Sequence, residues 1–134
     1  MSKALEPGEC PVGFLISEDG RVGPLAVDLD KVSVLSRTIG CDVIDMVHRP
    51  IGGETYVIVC DDEGLIRERP PTAFDNSKHV ALFGDILVLR DADEPGEVRG
   101  LTAAEIRHVR SNLAMLIGNT GRPEIPRTIL EMGE

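Results

Sequence analysis

The sequence predicts a single α+β domain, in which a mixed or mostly antiparallel sheet of about five strands carries two main helices packed on one face. The chain has 134 residues, a length that suits one hydrophobic core. Its patterns run in the order hairpin, helix, hairpin, irregular segment, strand, helix, without the strict alternation of a doubly wound fold. Hydrophobic residues make up 42% and aromatic residues 3%, so the core is built on Val, Ile and Leu. We expect a flexible arm over residues 1–12, the domain over 13–118 and a proline-containing tail over 119–134.

The first elements predict a hairpin and a helix. Residues 13–17 (GFLIS) and 22–27 (VGPLAV) have strand-like composition and flank the turn sequence EDG at 18–20. Pro24 lacks an amide donor, which indicates an edge strand or a bulge. Leu29–Ile39 then carries apolar residues at helical spacing, which predicts an amphipathic helix.

The centre of the chain predicts a second hairpin. Residues 42–49 largely alternate in polarity, and residues 54–60 (ETYVIVC) are mostly β-branched or aromatic, which predicts a central strand buried on both faces. The sequence DDEG at 61–64 predicts a turn. Pro70 and Pro71 lack amide donors, so we expect strand pairing to end there.

The second half adds a strand, a helix and the tail. Residues 72–83 contain several turn formers and predict an irregular loop or one broken helix. Residues 85–90 (DILVLR) predict a strand beside the second hairpin, followed by a charged loop over 91–100. The capping-box sequence TAAE begins a predicted helix over 103–117. The tail either packs on the body of the domain or extends to a neighbouring subunit.

The charge of the chain limits the classes of partner. Fourteen Lys and Arg against 23 Asp and Glu give a formal net charge of −9, and neither half is basic. Phosphate-backbone binding needs clustered Lys and Arg, so we expect no direct nucleic-acid binding. An acidic surface instead favours a basic protein partner or imitation of nucleic-acid charge. The sequence shows no apolar run of about 18 residues and no signal-peptide pattern, so we expect no membrane span and a cytoplasmic location.

No residue pattern predicts a catalytic, metal or cofactor site. The sequence contains no P-loop, dinucleotide-binding GxGxxG, HExxH or GxSxG element. The three cysteines, Cys10, Cys41 and Cys60, lack CxxC spacing, which is typical of reduced thiols in a cytosolic protein. An enzyme that uses Cys41 or Cys60 with a histidine is the remaining catalytic hypothesis, and it requires the two side chains to meet in a cleft.

Arg67 and Arg69 are the candidate binding residues. Residues two apart in a strand face the same way, so the two guanidinium groups are placed to clamp an anion or an acidic partner. Thr72 and Asn76 follow the double proline and complete the predicted ligand or partner site. Ordinary surface arginines are the alternative interpretation.

Four segments, in order along about residues 20–106, resemble DUF3846, a family of small uncharacterised proteins frequent in bacteriophages, mobile elements and their bacterial hosts. The segments are VDLDKVSVLSRTIGCDVIDMV, YVIVCDDEGL, RPPTAFDN and GDILVLRDADEPGEVRGLTAAEI. The chain has Gly40-Cys41 where the family typically has a double Gly, and Thr72-Ala73 where the family tends to have Asn-Arg. The resemblance implies a phage or mobile-element context and brings no activity or catalytic residues with it.

These observations rank three functions. The first is a non-enzymatic binding protein that modulates a host or phage protein, defence evasion included, through its acidic surface or the loop 67–79; DNA mimicry is one version of it. The second is a protein that binds or sequesters a small anionic ligand near Arg67 and Arg69. The third is the cysteine enzyme. A homodimer is left open.

Overall fold

The computed structural model describes residues 11–29, 32–63, 69–75, 80–116 and 127–133. Within these residues the chain forms ten strands and two helices. Their bounds are β1 (Val12–Ile16), β2 (Val22–Ala26), α1 (Val32–Ile39), β3 (Ile44–Ile51), β4 (Glu54–Asp61), β5 (Pro71–Asp75), β6 (Val80–Phe83), β7 (Ile86–Asp91), β8 (Val98–Arg99), α2 (Ala103–Arg110), β9 (Leu113–Leu116) and β10 (Arg127–Met132).

The strands form two sheets. The first sheet has the order β2-β1-β7-β4-β3, with β8 also pairing with β7, and all of these pairs are antiparallel. The second sheet has the order β6-β5-β10-β9, in which only β10 and β5 run parallel. The predicted α+β class and the mostly antiparallel pairing are therefore confirmed. The prediction of about five strands in one sheet is wrong, because the chain forms a second sheet from segments predicted as loop, helix and tail.

The centre of the first sheet is buried on both faces, as predicted for strand β4. Val57 of β4 packs in one apolar cluster with Leu35 of α1. Tyr56 and Ile58 pack in the other cluster, together with Val109 of α2. Successive residues of a strand point to opposite faces, so the two helices contact opposite faces of β4. We call these the α1 face and the α2 face, and the predicted packing of both helices on one face is not confirmed.

The region predicted as an irregular loop or broken helix forms two strands instead. β5 pairs with β6 in antiparallel orientation, and Pro71 lies opposite Phe83. Pro70 therefore precedes a strand and Pro71 pairs within it, whereas strand pairing was expected to end there. Pro71 is the first residue of β5, a position where a missing amide donor is tolerated.

The second predicted helix is shorter than its apolar spacing indicated. The capping box is present, since Glu105 N–H donates to Thr102 Oγ1 and Thr102 N–H donates to Glu105 Oε1. α2 ends at Arg110, and two turn residues lead into β9. β9 and β5 both pair with β10, so the described part of the tail packs on its own domain.

The β3–β4 hairpin and the two edges of the first sheet agree with the sequence. β3 and β4 pair over their whole lengths, from Ile44 opposite Asp61 to the loop formed by Gly52 and Gly53. β2 lies at one end of the sheet, where Pro24 was expected on an edge. β3 lies at the other end, so its outer side is the second edge.

The Gly-Gly loop supplies a matched pair of substitutions. Gly52 and Gly53 have φ of 56° and 86°, so alanine is strained at both. A Cβ at Gly52 would lie 2.8 Å from His108 Cε1, whereas a Cβ at Gly53 meets nothing within 4 Å. His108 is held in place by its 2.7 Å hydrogen bond with the Ile51 carbonyl. We expect Gly52→Ala to lower the free energy of unfolding by about 1–2 kcal/mol more than Gly53→Ala; urea unfolding measures the difference, and equal losses would contradict close packing of this loop on α2.

Candidate functional site

A groove opens on the α1 face beside the edge strand β3. Its volume is about 430 Å³, and its lining comes from β3, β4, the end of β7, the start of β8 and the loop between β7 and β8. We call it the β3 groove. The lining residues are Met46, His48, Val57, Asp91, Ala92, Asp93, Glu94, Pro95, Gly96 and Val98.

The alternation of β3 and the short length of α1 create this groove. Met46 and His48 project to the α1 face because they lie opposite Val59 and Val57, which face α1. α1 covers the centre of the sheet but leaves the Met46 side chain 39% exposed at the edge. The loop over 92–97 closes through a hydrogen bond from the Ala92 amide to the Glu97 carbonyl and forms the opposite wall.

His48 and Asp91 face each other across β4. His48 Nε2 lies 2.9 Å and 3.0 Å from the two carboxylate oxygens of Asp91. Both side chains are more than half exposed, so the pair contributes little to stability. A His–Asp pair also occurs in catalytic triads, but among the described residues the groove lining presents no Ser, Thr or Cys side chain beside it.

The composition of the groove favours a cationic ligand group. Asp91, Asp93 and Glu94 contribute three carboxylates, while His48 is the basic side chain of the described lining. The remaining side chains are mainly apolar and form the floor. Lys and Arg have an alkyl stem that packs on apolar surface and a charged end that pairs with carboxylates. The groove therefore has the chemistry to hold a basic side chain from another molecule.

A second polar cluster lies on the α2 face and ties α2 to the sheet. The Arg90 guanidinium lies 4.6 Å from the centre of the Tyr56 ring, and the His108 ring stacks on Tyr56 at 5.9 Å. Glu105 accepts hydrogen bonds at 2.8 Å and 2.9 Å from the two terminal nitrogens of Arg99 and pairs with Arg90 Nε at 3.1 Å. These contacts lie within the fold, so we interpret the cluster as the connection between α2 and the sheet.

The protonation of Glu105 reflects these partners. Burial alone would raise the pKa of the Glu105 carboxyl, but the hydrogen bonds from Arg99 and from the Thr102 amide outweigh it and lower the pKa to about 2. Burial raises the pKa of the Tyr56 hydroxyl. Glu105 is consequently a carboxylate, and Tyr56 a neutral phenol, at neutral pH.

Two of the four predicted binding residues lie within the described residues, and both have partners inside the protein. Arg69 Nε donates to Glu18 Oε2 at 2.8 Å, and this hydrogen bond raises the pKa of Arg69. Thr72 is buried, and its hydroxyl donates to the Gly84 carbonyl at 2.6 Å. Arg67 and Asn76, the other two predicted residues, lie outside the described residues. Anion binding near Arg67 and Arg69 stays a prediction.

The described cysteines are buried. Cys41 Sγ donates to the Val43 carbonyl, and Cys60 Sγ donates to the Asp45 carbonyl. Burial, followed by the nearby carboxylates of Asp45 and Asp62, raises the pKa of the Cys60 thiol to about 12. A thiol with that pKa stays protonated at neutral pH and is a poor nucleophile.

The described part of the chain gives two further results. Its His, Cys, Asp and Glu side chains contain no group of three or more that could hold a metal ion. None of its helices is both long and apolar enough to cross a membrane.

The sequence did not predict the β3 groove. From the sequence, a histidine has a role only as a partner of Cys41 or Cys60, and residues 91–100 are predicted only as a charged loop. The available signal was the alternation that places Met46 and His48 on one face. Their meeting with Asp91 depends on β4 lying between β3 and β7, which the sequence alone did not specify.

Comparison with known proteins gives one match. No curated protein and no solved structure matches this chain. The family model described as "Domain of unknown function (DUF3846)" matches residues 12–114. The match spans every element from β1 to α2, and hence the whole β3 groove, and it ends before β10. Because it covers well over half of the chain, the resemblance seen in the four sequence segments is confirmed, and the protein belongs to the DUF3846 family.

Proposed function

We propose that this DUF3846 protein is a non-catalytic binding protein that holds a basic segment of a host or phage protein in the β3 groove. The observation that carries the proposal is an apolar floor, open at Met46, with carboxylates along its rim. The host or phage setting follows from the contexts in which the family is frequent. Modulation of that partner in the cytoplasm, defence evasion included, is the outcome that we propose.

The charge of the chain supports this assignment. A net charge of −9 attracts basic partners at a distance and accelerates their association. Close to the surface, Asp93 and Glu94 are placed to pair with the cationic end of a Lys or Arg whose stem lies on Met46. Binding of this kind weakens as salt screens the charges.

Capture from a bacterial host lysate with charge-reversed variants tests the proposal. We expect D93K/E94K to reduce the yield of the captured partner by about tenfold or more, since two attractive contacts become repulsive. D62K/E131K changes the net charge equally at exposed acids outside the groove and serves as the matched control.

Four results can be distinguished by quantitative mass spectrometry. Loss of a saturable partner with D93K/E94K and its retention with D62K/E131K would support the β3 groove as the binding site. Equal loss with both variants would show dependence on net charge alone and would contradict the groove. Retention with both would place binding elsewhere, and a bound small anion in place of a protein would favour the site near Arg67 and Arg69.

A further inference from the structure

Within the described part of the chain, the outer side of β3 is an unpaired sheet edge over most of its length. β3 ends the first sheet, and among the described residues no strand pairs with its outer side between Ile44 and Arg49. At the far end, the Gly133 amide donates to the Pro50 carbonyl at 2.7 Å and Gly133 bridges to Ile51. The open window is therefore bounded by the start of the strand on one side and by Gly133 on the other.

The backbone groups that face outward in this window can be identified. The Pro50 carbonyl points away from β4, because it accepts from Gly133. The Val43 carbonyl points toward β4, because it accepts from the Asp62 amide at 3.1 Å. Hydrogen-bonding direction alternates along an antiparallel strand. His48 and Met46 lie two and four residues before Pro50. They therefore face outward as Pro50 does, and each presents both its N–H and its C=O group at the open edge.

This edge lacks two of the features that usually protect a sheet edge against strand pairing. Its ladder with β4 runs without a bulge, and no lysine lies in it. An edge of this kind accepts an added strand from another chain.

We propose that the added strand is β3 of a second copy, paired antiparallel about a two-fold axis at Val47. Val47 lies close to the middle of the open window between Ile44 and Arg49. In this register Met46 lies opposite His48 of the partner subunit, and His48 lies opposite the partner's Met46. These are the residues with outward backbone groups, so each pair exchanges both N–H···O bonds.

The charges of β3 select the same register independently. With the axis at Val47, Asp45 of each copy lies opposite the partner's Arg49 in a close, non-hydrogen-bonded pair. An axis at Asp45 would place two carboxylates together, and an axis at Arg49 would place two guanidinium groups together. Axes at Met46 or His48 would leave both charges opposite other residues. Arg49 also has a buried Nε with no hydrogen-bond partner in the described part of the chain, consistent with a cation that lacks its full set of acceptors.

The pairing would join the two β3 grooves. Met46 and His48 line the groove and also form the cross-strand pairs, so the α1 faces of the two copies become one continuous surface. A partner with two basic segments would then be bound at both grooves, which raises its apparent affinity. The dimer does not depend on the proposed function, because it forms between two copies of this chain and is measured on the purified protein without any other partner.

Complementary charge variants test the register. D45R places like charges opposite each other in a homodimer, and so does R49D. Mixed in equal amounts, D45R and R49D form a heterodimer in which both cross-strand pairs attract. By analytical ultracentrifugation at about 0.15 M salt, where longer-range surface charge is screened, we expect the wild type to dimerise and each variant alone to dimerise about tenfold or more weakly. The equal mixture should regain dimerisation.

Because the Arg49 guanidinium is partly buried, R49D alone is at risk of misfolding. The double variant D45R/R49D is the control for this. It restores both pairs within one chain and should dimerise like the wild type. A wild type that stays monomeric at all concentrations, or D45R that dimerises equally well, would overturn the proposal.

Amide hydrogen exchange by NMR gives a second readout. We expect protection of the Met46 and His48 amides to increase with protein concentration, while the Val47 and Arg49 amides are protected at all concentrations by pairing with β4. Protection of Met46 and His48 that does not depend on concentration would contradict the dimer. If the protein proves to be a monomer, the groove of the monomer can still capture a partner. The test of the dimer and the test of the binding function therefore give independent results.

Discussion

Tyr56→Ala is expected to lower the free energy of unfolding by about 3–5 kcal/mol. Tyr56 is fully buried on the α2 face of β4. Its ring contacts the Arg90 guanidinium and stacks with the His108 ring, so its removal leaves a cavity between the sheet and α2. Loss of the ring also removes the cation–π contact and leaves Arg90 partly buried beside the cavity.

Tyr56→Phe is the matched control. It keeps the ring and loses only the hydroxyl, whose hydrogen bond to Glu54 is long at 3.4 Å. We expect a loss below about 1 kcal/mol. Urea unfolding of both variants measures the difference, and a loss below about 1 kcal/mol for Tyr56→Ala would contradict the packing of this cluster.

Glu105→Gln is expected to lower the free energy of unfolding by about 2–3 kcal/mol at neutral pH. The substitution keeps the shape of the side chain but removes the negative charge that Arg99 and Arg90 share. The side chain of Glu105 is only 14% exposed, so water replaces the lost interactions poorly. Part of the capping box at Thr102 is weakened by the same change.

The effect of Glu105→Gln should depend on pH in a defined direction. The folded state lowers the pKa of Glu105 from 4.5 to about 2, so the carboxylate stabilises the fold fully above pH 4.5. This stabilisation is lost as pH falls toward 2, because the unfolded chain takes up the proton first. The difference in stability between wild type and variant should therefore shrink over that window.

Urea unfolding at several pH values measures this dependence. Glu97→Gln, at an exposed acid of the same type, is the control and should differ little from the wild type at each pH. A difference for Glu105→Gln that stays constant from neutral pH down to pH 2 would contradict the role of its ion pairs.

The sequence predicted the elements whose pairing is local. The β3–β4 hairpin needs only a two-residue loop, Gly52 and Gly53, between two strand-like segments, so the partners are adjacent along the chain. The start of α2 was equally visible, because the capping box at Thr102 is a local hydrogen-bond pattern.

The second sheet could not be predicted because its pairing joins distant segments. β5 lies beside β10, more than fifty residues later, so no local sequence pattern indicates their pairing. Leu113 and Leu116 continue the apolar spacing of α2, which favoured a longer helix. Their pairing with β10 outweighs that local preference, as tertiary contacts often do.

The candidate sites show the same limit. The prediction for Arg69 rested on its spacing from Arg67, but its partner Glu18 lies in the turn after β1. The His48–Asp91 pair of the β3 groove joins β3 to the end of β7. In both cases the sequence supplied the residue types, and the order of the strands decided which of them meet.

Site-specific photo-crosslinking tests the β3 groove as the partner-binding surface most directly. A photoreactive amino acid would replace Met46, which is 39% exposed in the groove, or Leu25, which is 37% exposed on the opposite edge of the sheet. Adducts would be identified by mass after irradiation in a bacterial host, where adducts with a second copy are recognised by their own mass. We predict adducts with a basic protein from position 46, absent from position 25 and lost when D93K/E94K is added. Identical adducts from both positions, or none with another protein from position 46, would contradict the account.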